Sequence, residues 1–301
     1  MDDYQKWIVI NLVKGRAIKD APMKEFTTLR IGGKAELMVF PMDVESLRGV
    51  LLYACDSQVP YLVIGSGSNL LVKDNGIPGI VINLKEGFNS LKMVNDLLWV
   101  QAGCSLSRLI NYAGENNLSG PEFLTGIPGS IGGVLSMNAG AHGKEMRDFV
   151  HSVEIMGSDG NIREIERSRL EFSYRSLKME KGAIILSALL KLKQEKGNII
   201  KERRESFLKS RKETQPIDSF SAGCVFKNPS GLFAARLIEE AGLKGIKVGG
   251  ATVSHLHANF IVNSGDATAQ DVINLIALVR KKIYEEKGIE FELEIQIVGE
   301  D

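Results

Sequence analysis

The chain has 301 residues, of which 44% are apolar, and its 37 basic residues balance its 37 acidic residues. This length accommodates two or three domains, and the charge balance disfavours a nucleic-acid-binding or membrane-surface protein. Cys55, Cys104 and Cys224 are scattered and lack C-x-x-C spacing, which disfavours a disulfide framework or a zinc site. No apolar run approaches the ~18 residues of a membrane span, and the acidic start does not resemble a signal peptide, so we expect a cytoplasmic protein.

The beginning of the chain alternates between helical and extended patterns. Residues 1–20 predict a short helical lead-in, and residues 37–40 form a strand-like run that ends at Pro41. Apolar residues at helical spacing predict a helix over residues 43–57, and a strand follows at 61–64. This β-α-β order favours an α/β or α+β domain.

The middle of the chain predicts further strands and one capped helix. Residues 79–84 and 97–102 are expected to be strands, and Ser105 is expected to cap the helix that follows them. The Asp-Gly pair at 159–160 is typical of a hairpin turn between two short apolar runs. Another strand is predicted over residues 184–192.

A charged, helical connector is predicted between residues 195 and 218, and we place a domain boundary there. The remaining elements are predicted as a loop over 221–230, a helix that begins at Leu232 and ends at Gly242, strands near 250–263, an amphipathic helix around 272–283 and a final strand over 291–298.

Residues 122–143 are rich in glycine and almost free of charge. The six glycines of this segment are Gly126, Gly129, Gly132, Gly133, Gly140 and Gly143. Because glycine lacks a Cβ, its main-chain N–H groups can approach a bound anion closely. Pro128 suits a turn or a first helical position ahead of such donors. A tightly packed set of turns without a ligand is the alternative interpretation.

A second glycine loop, Gly65-Ser66-Gly67-Ser68-Asn69, lies between two apolar runs. Backbone amides and serine hydroxyls in such a loop are suited to binding phosphate oxygens. The loop is not a dinucleotide-binding G-x-G-x-x-G motif, because leucine stands where the third glycine belongs, and no G-K-[ST] of a P-loop follows. Two different Gly/Ser loops in one chain favour a large phosphate-bearing cofactor.

Three other places contain residue types that favour chemistry. Tyr174 and Arg175 are suited to binding a carboxylate or a developing enolate, although a surface salt bridge is the simpler interpretation. Cys224 carries a thiol that is mostly protonated near neutrality and can donate a proton, with a buried structural cysteine as the alternative. Glu294 lies on the acidic face of the predicted last strand, for which a solvated face is the default.

Arg30 and two histidines are weaker candidates. Arg30 precedes the pair Gly32-Gly33 and is able to bind a phosphate or carboxylate, although a solvated arginine beside a turn is simpler. His255 and His257 share a face at i, i+2, but no third ligand accompanies them, so we reject a metal site.

Several motifs follow one another along the chain: TLRIGG at 28–33, GSGSN at 65–69, GIPGSIGG at 126–133 with MNAG at 137–140, YRS at 174–176, AGCVFKNP at 222–229, VGGA at 248–251 and Glu294-Ile295. In this order they resemble one family, the flavin-dependent UDP-N-acetylenolpyruvoylglucosamine reductases (MurB) of bacterial cell-wall synthesis. The resemblance runs from about Thr27 to Gly299, and five or more motifs in sequence make it highly specific.

The resemblance implies an α+β fold with a two-subdomain FAD-binding module, of a type shared with certain oxidases, and a C-terminal α+β substrate-binding domain. The implied domains are residues 1–85, 86–197 and 198–301. It also implies non-covalent FAD, NADPH as reductant and a UDP-sugar substrate, with segment lengths like those of the shorter form of the family. We expect a monomer with no nucleic-acid or membrane partner.

The resemblance also implies roles for individual residues. Arg175 and Glu294 would stabilise an enolate, and Cys224 stands where the family most often has a serine proton donor. The positions implied to bind FAD are Arg30, Gly65, Ser66, Gly67, Ser68, Asn69, Gly126, Pro128, Gly129, Ser130, Gly132, Gly133, Asn138, Ala139 and Gly140. The positions implied to bind the substrate are Tyr174, Lys227, Asn228 and His257.

Two rival functions stay open from the residues alone. A flavin oxidase of the same binding fold is one, and the pair Lys227-Asn228 close to a proton donor in sequence disfavours it. The other is a nucleotide-binding module without redox chemistry, which the absence of a bound yellow flavin from the purified protein would favour.

Overall fold

The computed structural model describes residues 1–301. The helices are Asp3–Leu12 (α1), Val44–Asp56 (α2), Leu106–Glu115 (α3), Ile131–Ser136 (α4), Gly197–Thr214 (α5), Ala234–Glu240 (α6) and Ala269–Lys287 (α7). None of these helices is long and apolar enough to span a lipid bilayer. Short 3₁₀ helices are Met23–Glu25, Pro121–Leu124, Met146–Asp148 and Arg167–Arg169.

The strands are mostly short. They are Gly15–Pro22 (β1), Lys34–Pro41 (β2), Tyr61–Ile64 (β3), Leu70–Val72 (β4), Ile77–Asn83 (β5), Leu91–Val94 (β6), Leu97–Gln101 (β7), Leu118–Ser119 (β8), Gly140–Ala141 (β9), Lys144–Glu145 (β10), Val150–Met156 (β11), Ile162–Glu166 (β12), Phe172–Ser173 (β13), Ser176–Leu177 (β14), Ile184–Leu190 (β15), Lys193–Gln194 (β16), Phe220–Cys224 (β17), Lys247–Val248 (β18), Ala251–Val253 (β19), Phe260–Asn263 (β20) and Gln296–Val298 (β21).

The chain forms two compact units, and each is built from three separate stretches of sequence. The first unit comprises Met1–Asp20, Glu36–Ser66 and Pro78–Leu208. The second unit comprises Ala21–Ala35, Gly67–Ile77 and Lys209–Asp301. Each unit has its own cluster of buried apolar side chains. The division of residues 1–197 into two FAD-binding subdomains stays a prediction.

A four-stranded sheet in the order β1-β2-β5-β3 contains the strands that were predicted at 37–40, 61–64 and 79–84. Strands β3 and β5 pair in parallel, with Tyr61 opposite Ile80. Asp43 caps α2 by accepting a hydrogen bond from the Ser46 N–H, and Leu47 on the apolar face of this helix is fully buried. Burial of such a face supplies most of the stability of a short helix in a protein.

A five-stranded antiparallel sheet in the order β12-β11-β15-β7-β6 also belongs to the first unit. Strands β11 and β12 form the hairpin that the Asp159-Gly160 pair predicted, and Gly160 has φ +74. The Nε of Arg48 donates to the Gly160 carbonyl at 2.9 Å, which ties α2 to this turn. Ser105 caps α3 as predicted.

The second unit has an antiparallel sheet in the order β17-β20-β19-β18 and the long helix α7. A capping box of Thr268 and Asp271 begins α7, and Gly288 ends it in the left-handed conformation. The predicted apolar face of α7 is buried and consists of Val272, Leu275, Ile276, Val279 and Ile283. Strand β21 pairs in parallel with β4 from a distant part of the chain.

Three elements differ from the sequence-based expectations. Gly15–Pro22 is strand β1 rather than helix, because it pairs at the edge of a sheet, where polar residues are tolerated. Phe220–Cys224 is strand β17 rather than loop, because it pairs with β20. Of the predicted last strand, Gln296–Val298 forms strand β21. Residues 292–294 instead form main-chain hydrogen bonds with the segment after Cys224, including an isolated bridge between Leu293 and Phe226.

Candidate functional site

The glycine-rich segment 122–143 forms turns around one short helix, α4. Ser130 precedes this helix and is buried, whereas Gly126, Pro128 and Gly133 are exposed. The remaining glycines predicted to contact a cofactor are half-buried, namely Gly129, Gly132 and Gly140. The main chain of the segment is therefore accessible to a ligand, although one of its serines is packed into the unit.

The two glycine loops meet within the first unit at Gly65 and Ser130. A Cβ added to Gly65 would lie 1.8 Å from the Ser130 Oγ, a separation that no side chain tolerates. Glycine is thus required at position 65 for the loops to approach so closely. Small residues let a bound diphosphate approach the main chain closely, so these loops fit the phosphate-bearing cofactor that the sequence predicts.

The far end of the same loop belongs to the second unit, where Gly67 packs against the turn that carries Arg30. The Thr28 N–H donates to the Gly67 carbonyl at 3.3 Å, and a Cβ on Gly67 would lie 2.1 Å from the Phe26 carbonyl oxygen. Arg30 is exposed, with φ +57, and its guanidinium lies 5.5 Å from the Phe220 ring centroid. Gly67 therefore supports the tight turn that presents Arg30.

Tyr174 and Arg175 form the turn between β13 and β14 in the first unit. Arg175 is half-buried and has φ +56, and its guanidinium lies 5.0 Å from the Tyr174 ring centroid. Gly140 lies close beneath it, since a Cβ on Gly140 would be 3.2 Å from an Arg175 Nη. The structure thus brings the predicted enolate-stabilising arginine against the glycine-rich segment.

Asn138 is fully buried, and its side chain binds protein groups. Its Nδ2 donates to the Glu145 Oε2 and to the Ser173 carbonyl, each at 2.9 Å. Its Oδ1 accepts a hydrogen bond from the Arg147 N–H at 3.1 Å. Its N–H donates to the Leu135 carbonyl at 3.0 Å, so these polar groups are bonded within the protein, and the cofactor contact predicted for Asn138 stays a prediction.

Cys224 ends β17 in the second unit, opposite Phe260. A β-bulge separates Ser221 from Cys224, and Gly223 within it has φ +79. Bulges redirect side chains, and the Cys224 thiol is half-buried rather than enclosed. The predicted loop is thus a strand whose last residue presents the thiol.

The segment that contains Glu294 runs beside the residues that follow Cys224. The Glu294 N–H donates to the Val225 carbonyl at 2.8 Å, and the Lys227 N–H donates to the Glu292 carbonyl at 2.9 Å. The predicted proton donor and the predicted enolate-stabilising carboxylate therefore lie on adjoining main-chain segments of the second unit.

Asn69 connects the second glycine loop with Glu294. Its Nδ2 donates to the Glu294 carbonyl at 3.0 Å, and its own carbonyl accepts from the Gln296 N–H at 2.9 Å. The prediction for Asn69 concerned only a cofactor. No local pattern indicates this contact, because the two residues are far apart in sequence.

Arg211 was missed by the sequence analysis. Its side chain is only 8% exposed, and its Nε has no hydrogen-bond partner, although an Nη donates to the Gln215 Oε1 at 2.7 Å. Burial lowers the pKa of the Arg211 guanidinium. The sequence gives no indication that Arg211 is buried, because this residue stands in a run of charges typical of a solvated helix.

Lys227 and Asn228 each have a partner within the second unit. The Lys227 Nζ contacts the Glu292 Oε2 at 3.1 Å, and the Asn228 Oδ1 accepts from the Ala234 N–H at 2.9 Å, where α6 begins. Asn228 therefore orders the start of a helix, and Lys227 forms a surface ion pair of small energetic value.

His257 packs edge-on against Phe260, with ring centroids 4.8 Å apart. Burial lowers the pKa of His257, and the positive charge of Lys244 acts in the same direction. Its imidazole is consequently neutral near pH 7, and its Nδ1 has no hydrogen-bond partner.

Two sequence families match most of the chain. Residues 35–166 match the family described as "FAD binding domain", and residues 215–298 match "UDP-N-acetylenolpyruvoylglucosamine reductase, C-terminal domain". A UDP-N-acetylenolpyruvoylglucosamine reductase of Syntrophomonas wolfei is 43% identical, covering 93% of this chain and 94% of that protein. One of Clostridioides difficile is 42% identical, covering 97% of both.

Solved structures agree with these sequence matches. The UDP-N-acetylenolpyruvylglucosamine reductase (MurB) of Thermus caldophilus matches with a TM-score of 0.82 and 38% identity, covering 94% of this chain and 98% of that chain. A variant of Phl p 4, a glucose oxidase, matches with a TM-score of 0.51 and 11% identity over 64% of this chain and 44% of that one, a likeness of fold alone.

The motif-based resemblance, the α+β fold and the expectation of FAD are confirmed by these comparisons. The two glycine loops meet at Gly65 and Ser130, and both lie within residues 35–166, which match the FAD-binding family. The chain therefore belongs to the UDP-N-acetylenolpyruvoylglucosamine reductase family of FAD-dependent oxidoreductases.

Proposed function

We propose that the protein reduces UDP-N-acetylglucosamine enolpyruvate to UDP-N-acetylmuramate with NADPH, a step in bacterial peptidoglycan precursor synthesis. The observation that carries the proposal is near-full-length similarity to reductases named for this substrate, at 43% identity over 281 residues in one case. The motifs that contain Arg175, Cys224 and Glu294, to which the resemblance assigns catalytic roles, support it further.

The reaction adds one hydride and one proton across the double bond of the enolpyruvyl group. When bound, FAD would supply the redox chemistry, namely a hydride whose electrons derive from NADPH. When the terminal carbon of the substrate accepts the hydride, the electron pair of the double bond moves onto the α-carbon and the carboxylate as an enolate. A proton delivered to the α-carbon completes the lactyl product.

Arg175 is proposed to bind the substrate carboxylate and to stabilise the enolate charge. Its half-buried position beside Gly140 supports this role, because charge interactions are stronger where water is partly excluded. Glu294 is proposed to contribute in its protonated form, since an ionised carboxylate would repel the enolate.

Cys224 is proposed to deliver the proton. An unperturbed thiol has a pKa of about 8.5 and is mostly protonated near neutrality, and it is more acidic than the serine hydroxyl usual in the family. The half-buried thiol at the bulge suits this role. Cys104 does not, because it is fully buried and burial raises the pKa of its thiol to about 11.

The loops at 65–69 and 126–140 are proposed to bind the FAD diphosphate and ribityl chain, and Arg30 is proposed to bind FAD as well. Tyr174, Lys227, Asn228 and His257 are proposed to bind the UDP-sugar. The Lys227 ammonium suits a diphosphate and is held only by the surface ion pair to Glu292. The neutral His257 offers hydrogen bonds without adding a charge.

Gly65→Ala tests the cofactor assignment. The new methyl group collides with the Ser130 Oγ, so the two loops must separate, and we expect roughly tenfold weaker FAD binding or more. The measurement is the flavin content of the purified protein and a titration with FAD. Adding Ser130→Gly removes the obstructing side chain and is expected to recover much of the lost affinity.

Gly49→Ala is the matched control for this test. Gly49 lies in α2, where an added Cβ would meet only the Leu12 side chain at 3.5 Å, an ordinary contact. We expect full FAD content and unchanged or higher stability for this variant. Normal FAD affinity of Gly65→Ala would refute the assignment of the two loops.

A stopped-flow experiment tests the function as a whole. NADPH is expected to bleach the flavin of the purified protein, and anaerobic mixing with UDP-N-acetylglucosamine enolpyruvate is expected to restore the yellow colour rapidly. If the substrate restores no colour and oxygen does, the protein is a flavin oxidase instead. Purified protein that neither carries nor binds flavin would contradict the family assignment itself.

A further inference from the structure

Asn138 is a buried polar residue whose side chain serves the protein rather than a ligand. Both hydrogen bonds from its Nδ2 and the one to its Oδ1 are made with neighbouring residues of the first unit. A buried amide with three satisfied hydrogen bonds holds its neighbours in one arrangement, because each broken bond leaves a buried polar group without a partner.

One of these bonds reaches the hairpin that carries Arg175. The accepting carbonyl belongs to Ser173, the last residue of β13, and the turn of Tyr174 and Arg175 follows immediately. The side chain of Asn138 thus fixes the strand end from which the turn starts. The other Nδ2 bond goes to Glu145, whose carboxylate is paired with Arg147 at 2.8 Å.

The turn itself requires such support. Arg175 adopts φ +56, in the left-handed region that arginine enters only at an energetic cost, and Asn138 itself has φ +39. Asparagine tolerates this region far better than arginine does, because its short polar side chain bonds locally. A turn that is not favoured by its own residue depends on contacts from outside it.

Two further contacts constrain the same hairpin. The guanidinium of Arg167 lies 5.0 Å from the ring centroid of Phe172, the first residue of β13. Gly140 lies beside the Arg175 guanidinium, since a Cβ there would be 3.2 Å from one of its nitrogens, and it would be nearer still to the Lys144 carbonyl oxygen, at 2.8 Å. Asn138 and Gly140 belong to the same glycine-rich segment, so this segment is bonded to the base of the hairpin and also lies beside the guanidinium.

We propose that Asn138 is a positioning residue for the reaction, which holds the Ser173 carbonyl and thereby orients the Arg175 guanidinium toward the substrate carboxylate. The inference rests on the proposed role of Arg175. It makes the glycine-rich segment part of the substrate-reducing apparatus as well as of the cofactor site, because Asn138 connects that segment to the arginine.

Asn138→Asp tests the proposal. Aspartate keeps the shape, the tolerance for positive φ and the acceptor for the Arg147 N–H, but its carboxylate has no donor for Ser173 or Glu145. We expect FAD content and flavin reduction by NADPH to stay near those of the parent. Reoxidation by saturating UDP-N-acetylglucosamine enolpyruvate is expected to slow by about 10–100-fold, as for a misplaced catalytic group.

Glu145→Gln separates the contact with Ser173 from charge repulsion. As a single variant it keeps an acceptor for the Asn138 Nδ2, and we expect parental rates. Combined with Asn138→Asp it removes the repulsion between two carboxylates but not the loss of the Ser173 bond, so reoxidation is expected to stay slow. Recovery of the parental rate in the double variant would overturn the proposal.

Ile155→Ala controls for lost stability. Ile155 is buried in β11 of the same unit, and its truncation leaves a cavity that lowers the melting temperature. We expect this variant to keep the ratio of its two half-reactions, whereas Asn138→Asp changes that ratio. Equal slowing of both half-reactions in Asn138→Asp, with loss of FAD, would show a merely structural role and overturn the proposal.

Arg175→Ala distinguishes failure of this inference from failure of the proposed function. If Arg175→Ala slows reoxidation and Asn138→Asp does not, the positioning role is refuted while the function stands. If neither variant slows reoxidation, the proposed role of Arg175 is itself wrong. The dissociation constant of the substrate for the oxidised protein, measured from the flavin spectrum, is expected to rise in both variants, independently of turnover.

Discussion

Replacing Cys224 with alanine is expected to slow flavin reoxidation by UDP-N-acetylglucosamine enolpyruvate by about 10³-fold, with flavin reduction by NADPH nearly unchanged. The physical reason is that the alanine side chain has no acidic proton to give to the α-carbon, so the enolate must be protonated by water. The measurement is anaerobic stopped-flow absorbance of each half-reaction separately. Cys224→Ser is expected to retain most of the rate, because its hydroxyl can donate a proton from the same position.

Cys55→Ala is the matched control for the Cys224 variants. Cys55 is half-buried on α2 and packs against the first unit's core, and Cys55→Ala is expected to leave both half-reactions unchanged. Near-complete inactivity of a folded, FAD-bound Cys224→Ser variant would show that the thiol acts by something other than proton donation. A Cys224→Ala variant with the parental reoxidation rate would remove this residue from the mechanism.

Replacing Arg175 with alanine is expected to slow reoxidation by substrate about 10²–10³-fold, as removal of one preorganised stabiliser of a developing negative charge typically does. Flavin reduction by NADPH does not involve the substrate carboxylate and is expected to be nearly unaffected. Both rates are measured by stopped-flow absorbance across a range of substrate concentrations, which separates loss of binding from loss of rate.

Arg169→Ala is the control for Arg175→Ala. Arg169 is an exposed arginine at a nearby position in the chain, and its loss removes the same charge from the surface. We expect parental half-reactions, since exposed charges act weakly at a distance in salt. If Arg175→Ala slows both half-reactions equally, the arginine serves the fold or the cofactor rather than the enolate.

Local patterns in the sequence predicted much of the fold. The cap at Ser105, the Asp159-Gly160 turn and the apolar face of α7 appear as expected, because each depends on residues close together in the chain. Motif order then identified the family and its FAD. The cap, the turn and the helix face depend on neighbouring residues, and the family follows from the order of several motifs, so none of these predictions requires knowledge of long-range contacts.

The missed features depend on distant partners. Strand β17 contains serine, alanine and glycine, which have weak strand preferences, and it is extended because it pairs with β20. The inward direction of the Asn138 side chain and the burial of Arg211 follow from residues elsewhere in the chain. The positions of the candidate site stay predictions from the resemblance, whereas the residues that hold them in place could not be predicted from the sequence.

The second unit consists of three separate stretches of sequence, and this affects how the protein folds during its synthesis on the ribosome. Residues 21–35 and 67–77 emerge early, yet their packing partners in 209–301 are translated last. Contacts between residues so far apart in sequence form slowly.

A fragment that begins at Lys209 lacks β4, the strand with which β21 pairs. The edge of β21 is then unpaired, which makes such a fragment prone to aggregate.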